Sequence, residues 1–242
     1  MDSEAKIVVL AGATGGLGKL IAPTPLFPPC RAMTRSSSSS RPACCSPRLA
    51  PALDASSLPT FPTTSPEWRA FARLAEEIRG GVEVVHVLNG CFLDKRVLFD
   101  FLGAIDLKTR QAFLWGDGDE KMDFTTYEDT ARFTAEAATD RGLLPAQFNV
   151  AGDTLDFHEL VQAYKEASRK PLIVARRGSL DDLDAEIARR RKEDPGNIFV
   201  YLPLMYWRAM LSGKGKLGPL INSRYPHIHP LTVREFVRRE GF

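Results

Sequence analysis

No stretch of this chain stays apolar long enough to span a bilayer. Its opening, Met1-Asp-Ser-Glu4, is acidic and leads straight towards a strand, not into a positively charged leader. The expectation is a cytoplasmic protein, nuclear only if it is regulatory, with no membrane partner. Lys and Arg exceed Asp and Glu by a net +2, too little for a global field that would gather nucleic acid. The short basic run Arg189-Arg190-Arg191-Lys192 reads as a solvated helix face. The four cysteines, Cys30, Cys44, Cys45 and Cys91, lack zinc-type spacing, and the adjacent pair suits neither a chelate nor an ordinary disulfide, so they read as free thiols. The four histidines are equally unpromising as ligands. His227-x-His229 is a proline-flanked surface turn, His86 lies in a buried strand, and His158 opens a helix beside Asp156 and Glu159. Asp117, Asp119 and Glu120 lack the remaining calcium-loop positions. No metal is expected.

What the chain does have is Ile7-Val-Val-Leu-Ala11 running into Gly12-Ala13-Thr14-Gly15-Gly16-Leu17-Gly18. An apolar run of this kind fits a central parallel strand. Gly12 permits the tight turn, Gly15 lets the backbone approach a pyrophosphate, and Gly18 lets the next helix pack closely. Free N–H groups at the start of that helix would hold phosphates, aided by the helix dipole. Arg35 follows the remnant of a second strand, where a basic side chain meets a 2′-phosphate, favouring NADP(H) with NAD(H) as the alternative; a solvent-facing Arg is the plainer reading.

The pattern then breaks. Pro23, Pro25, Pro28 and Pro29 stop the first helix near Ile21 or Ala22, since each interior proline costs roughly 3 kcal/mol. Residues 36–66 are Ser-, Pro- and Ala-rich without period, and are expected to form a disordered insert or linker. Periodicity returns at Ser65-Pro66-Glu67, which opens a helix carrying Trp68, Phe71, Leu74 and Ile78 and ending at Gly80-Gly81.

Further along, Val82–Leu88 reads as a strand ending in the turn Asn89-Gly90 at the carboxyl edge of the sheet, where Asn89 could meet the nicotinamide side of a cofactor. Ala112–Trp115 reads as a strand followed by the turn Gly116-Asp-Gly118. A helix begins from Phe124 on, capped by Thr125 or Thr126. Phe148–Ala151 is a late strand, Thr154-Leu-Asp156 opens a helix over Phe157–Ser168, and Leu172–Ala175 is one more strand. Helices near Leu180–Lys192 and Ile198–Leu211 precede the C-terminal segment. Tyr201, Met205, Tyr206, Trp207 and Met210 form an amphipathic stretch, either lobe core or the roof of an apolar substrate pocket. The fold class is α/β: a Rossmann-like domain over 1–155 with a mostly parallel sheet, and a small C-terminal α+β lobe over 156–242.

On four stretches the sequence resembles the NmrA-like family, atypical short-chain dehydrogenases that include isoflavone-reductase-like enzymes. These are Val8–Gly18, Val87-Leu-Asn-Gly-Cys-Phe92, Trp115-Gly-Asp-Gly-Asp119 with Asp123–Ala131, and Leu217–Pro226. The resemblance implies an NAD(P)-binding domain with a small lobe over a substrate cleft. Family members carry two more strands where this chain has its Ser/Pro-rich segment, so the sheet is incomplete relative to the family, as in an internally deleted or frame-shifted product. The Tyr-x-x-x-Lys pair of the wider superfamily is missing. Tyr127, Tyr164, Tyr201, Tyr206 and Tyr225 are followed four residues on by Ala131, Ser168, Met205, Met210 and His229. The Lys that isoflavone-reductase-like enzymes place on the helix before the Asn-Gly strand is also missing: that helix holds Arg69, Arg73 and Arg79, and Arg is a poor proton donor. No catalytic residue is assigned. Three readings stand: an NADPH-dependent reductase of a small carbonyl, enone or quinone; a non-catalytic NADP(H) sensor with a regulatory protein partner; and a nonfunctional truncated product.

Overall fold

The structure, a computed structural model, describes residues 85–242. The glycine turn, Arg35, residues 36–66 and the helix from Glu67 lie outside the described residues.

The first described strand, β1 (His86–Leu88), pairs in parallel with β6 (Gln147–Asn149), in the register Val87 to Phe148. Cys91–Phe92 (β2) pairs in parallel with Met122–Thr125 (β5), whose other edge takes β7 (Asp153–Leu155) antiparallel. A third sheet places β4 (Gln111–Trp115) between the antiparallel β3 (Ile105–Asp106) and the parallel β8 (Ile173–Gly178). Parallel neighbours need long crossovers, and here the crossovers carry helices, so the α/β class follows from the pairing itself.

The helices form where their caps say they should. Thr126 accepts from the Asp129 N–H and starts α1 (Tyr127–Thr139). Asp156 and Glu159 make a reciprocal capping box at α2 (Phe157–Ser168); Ser179 with Asp182 does the same for α3 (Leu180–Glu193), and Thr232 with Glu235 for α5 (Val233–Glu240). Between them lies α4 (Leu202–Leu211), with Pro203 in its first turn. A π-helical turn spans Lys95–Phe101 and is capped by Asp94.

Three sequence expectations need revision. Phe124 and Thr125 belong to β5, not to the helix that follows, because their backbones pair with β2 and β7. The expected helix over Ile198–Leu211 is a 3-10 turn at Ile198–Val200 followed by α4, as expected where Pro203 lacks the N–H that would continue one helix. His86 is half-buried rather than enclosed.

The core falls into two clusters. The larger gathers the inward faces of β4 and β5 (Ala112, Leu114, Met122, Phe124) with Phe157 and Leu160 of α2, Trp207 of α4, and Val233, Phe236 and Val237 of α5. It therefore draws on both sides of residue 155, as does the β4–β8 pairing. The smaller holds Val85, Phe133, Ala137, Phe148, Val150, Tyr225 and Ile228, and fastens α1 against β1 and β6. The carboxyl end of β1 lies beside that of β6, and the carboxyl end of β2 beside that of β5.

Candidate functional site

In parallel α/β sheets, ligands bind beyond the carboxyl ends of the strands. Asn89 and Gly90 occupy that position, between the end of β1 and the start of β2. Gly90 has φ +67°, and a Cβ there would stand 2.4 Å from the carbonyl oxygen of Asp123. Only glycine fits this turn against β5. The fully buried Thr125 donates its hydroxyl to the Asn89 carbonyl at 2.7 Å, fixing the same turn from the side. The Asn89 amide nitrogen donates to the Gly90 carbonyl at 3.3 Å. The backbone is thus held, and among the described residues the amide oxygen has no hydrogen-bond donor.

Beneath the turn sits Asp123, with no exposed side-chain surface. It accepts from the Thr154 hydroxyl at 2.7 Å, the Lys216 ammonium at 2.9 Å and the Leu217 N–H at 2.8 Å. A buried carboxylate is tolerated when paired and hydrogen-bonded in this way. Lys216 and Leu217 belong to the segment 213–222, which crosses the strand ends, and Thr154 to β7. Asn149, at the end of β6, holds the next part of that segment: its amide donates to the Pro219 carbonyl at 3.3 Å and its own carbonyl accepts the Ile221 N–H at 2.9 Å. Asn222 bonds both ways to Ala151. The Asn149 side-chain oxygen is buried and, among the described residues, has no hydrogen-bond partner.

Burial pushes the Cys91 thiol up to about 12, so it is no thiolate nucleophile at neutral pH. The ring of Tyr127 stacks on Phe92 at 4.1 Å, and burial, followed by the charge of Asp94, raises its phenol above the ordinary value. That makes Tyr127 a reluctant proton donor.

Of the residues expected from sequence to bind cofactor, Asn89 is placed at the strand ends; Gly12, Ala13, Thr14, Gly15, Gly16, Leu17, Gly18 and Arg35 lie outside the described residues. His158 donates its Nε2–H to the Asp117 carbonyl, 2.8 Å away, and His227 meets Glu136 at 2.9 Å on an exposed turn. Among the described residues no group of three His, Cys, Asp or Glu is gathered for a metal, and no helix is long and apolar enough to cross a membrane. Arg189 and Arg190 are tied to Glu186, with Arg189 also reaching Glu193, as expected of a solvated helix face. Of the amphipathic stretch, Tyr201 and Trp207 are buried and Tyr206 and Met210 pack on the core, while Met205 is exposed. Sequence reasoning missed Thr125, Asp123, Asn149 and Lys216. The signal for Asp123 was its place inside an otherwise apolar or Thr-bearing strand.

No family model matches the chain, and no curated protein matches it. Solved structures do. An isoflavone reductase aligns at 18% identity with a TM-score of 0.58, covering 72% of this chain and 57% of the other. The leucoanthocyanidin reductase–NADPH complex from Vitis vinifera aligns at 17% and 0.56, covering 72% and 59%. A nucleoside-diphosphate-sugar epimerase from Staphylococcus aureus aligns at 18% and 0.54, covering 72% and 58%. The chain spans a little under three fifths of the length of these proteins. At such identities the likeness is one of fold: a Rossmann-like α/β architecture, shared with these reductases and with the epimerase.

Proposed function

We propose that the chain is an NAD(P)-binding protein of reductase type, with NADP(H) preferred. The carrying observation is the Asn89–Gly90 turn, locked by Thr125 and Asp123 at the carboxyl ends of parallel strands. The solved leucoanthocyanidin reductase, with which the chain shares its fold, holds NADPH, and this supports the choice of cofactor.

In this reading residues 1–155 bind the dinucleotide and 156–242 form the lobe, with β4 reaching across to pair β8. Gly12, Gly15 and Gly18 leave room for the pyrophosphate, with Ala13, Thr14, Gly16 and Leu17 supplying backbone between them. Arg35 meets a 2′-phosphate. Two amide oxygens at the strand ends, that of Asn89 and the unpartnered one of Asn149, suit a carboxamide N–H₂ group, which a nicotinamide carries. When bound, the nicotinamide supplies hydride to a small carbonyl, enone or quinone. The chain's own part is to hold it and to keep the strand-end backbone rigid through the Asp123 network. The missing Tyr-x-x-x-Lys pair and the raised Tyr127 phenol favour a second reading, a non-catalytic NADP(H) sensor that reports to a protein partner.

The discriminating experiment follows loss of NADPH absorbance against a panel of quinones and enones beside a calorimetric NADPH titration. Binding with turnover supports the reductase, binding without turnover supports the sensor, and absence of binding refutes both.

A further inference from the structure

Beside the β3-β4-β8 sheet, at the margin of the larger core, lies a cavity of about 830 Å³ between β4, α3, α4 and the π-helical turn. That volume is within the range of small-ligand sites, roughly 300–1,000 Å³. Its floor is aromatic. Phe113 and Trp115 alternate along β4 with Ala112 and Leu114, which are fully buried on the opposite face, so both rings point into the cavity side. Trp207 closes the back, its indole N–H donating to the Phe113 carbonyl at 3.3 Å. Phe199, 67% exposed, stands at the rim.

The charges in the wall decide what such a cavity accepts. Glu186 is spent: it takes Arg189 at 2.8 Å and Arg190 at 2.7 Å, and those contacts hold its carboxyl down at about 2. Arg190 is spent too, since it also donates to the Val200 carbonyl at 3.2 Å and braces the 3-10 turn as part of the wall. Arg177 differs. Its guanidinium carbon stands over the Phe113 ring, 4.1 Å from the centroid, with no carboxylate partner among the described residues. Stacking on a ring orients the fork without satisfying its N–H donors. Asp100, on the wall formed by the π-helical turn, is likewise without an ion-pair partner among the described residues, and would repel a second negative charge.

We propose that this cavity is a binding site for a planar aromatic monocarboxylate, its ring on the Phe113–Trp115–Trp207 floor and its carboxylate on the fork of Arg177. This site is independent of the dinucleotide reading, for it uses none of the strand-end residues.

The test titrates the full chain with 2-naphthoate, 2-naphthalenemethanol and naphthalene-2,6-dicarboxylate, read by quenching of tryptophan fluorescence and by calorimetry, with and without NADPH. A hydrogen-bonded charge pair predicts 2-naphthoate binding roughly tenfold more tightly than the neutral alcohol, with the dicarboxylate weaker than the monocarboxylate. Arg177→Met removes the exposed cation without disturbing the core and is expected to erase the preference for the acid. Asp100→Asn is expected to restore binding of the dicarboxylate, and Val200→Trp, filling the cavity, to abolish binding of all three. Equal affinity for acid and alcohol in the unaltered chain, a preference that survives Arg177→Met, or displacement of 2-naphthoate by NADPH would each overturn the proposal.

Discussion

Asp123 and Lys216 meet at 2.9 Å across 93 residues of chain, and the same carboxylate takes the N–H of Leu217. One buried group on β5 therefore fixes the segment that crosses the strand ends. Removing it leaves an ammonium, an N–H and a hydroxyl without their acceptor, so Asp123→Ala is expected to destabilise the fold by about 3 kcal/mol. Lys216 is partly exposed, and Lys216→Met is expected to cost less, about 2 kcal/mol. Urea unfolding of the two variants beside the unaltered chain checks the order. Equal stability of all three would show that the network does not hold the segment.

Gly90 gives a sharper geometric prediction. Its positive φ and the 2.4 Å approach of a Cβ to the Asp123 carbonyl mean that Gly90→Ala must shift the turn. The expected cost is about 2 kcal/mol or more. Asn89 would move with the turn, so NADPH affinity should fall as well. Gly103 also has positive φ but meets nothing, so Gly103→Ala carries the backbone strain alone and serves as the control. Identical losses in the two variants would remove the close approach from the account.

Glu186 makes stability depend on acid pH. Arg189 first, and Arg190 after it, lower its carboxyl from 4.5 to about 2. A carboxylate depressed in the folded state adds stability above its unfolded value and loses it as pH falls through the folded one. The contribution is therefore complete above about 4.5 and fades towards about 2. Urea midpoints of the unaltered chain and Glu186→Gln should converge across that window. A constant gap between them would contradict the assignment.

Cys91 should be inert. With Cys30, Cys44 and Cys45 replaced by Ser, the remaining thiol, pushed up to about 12 by burial, is expected to resist a disulfide reagent at mildly alkaline pH and to react at once in denaturant. Fast reaction in the native state would place it in an open environment.

The sequence was most legible where local chemistry decides structure. Thr126 and Asp156 cap the helices they were expected to cap, and Gln111–Trp115 and Ile173–Gly178 stand where apolar runs between turns placed strands. It was least legible where partners are remote. β5 is buried on both faces, so Met122–Thr125 has no alternation to betray it, and β7 is a strand only because β5 lies beside it. The Asp123–Lys216 pair and the buried Asn149 amide have no signature at all in linear spacing. Asn89 was legible because Asn-Gly after an apolar run is a turn signal in its own right.

Cofactor choice has its own test in Arg35. If that side chain meets the 2′-phosphate, Arg35→Glu weakens NADPH well beyond NADH, because only the former brings a phosphate to repel. Parallel losses, measured by competitive titration of the two dinucleotides, would take Arg35 out of the site.

The central claim, dinucleotide binding on the turn from Gly12 to Gly18, is tested most directly by calorimetric titration of the full chain and of Gly15→Val with NADPH. A valine at that position would occupy the place of the pyrophosphate. The account predicts saturable binding at one site per chain in the unaltered protein and none in Gly15→Val, with both proteins giving the same circular dichroism. Absence of binding in the folded, unaltered chain, or undiminished affinity in Gly15→Val, would contradict it.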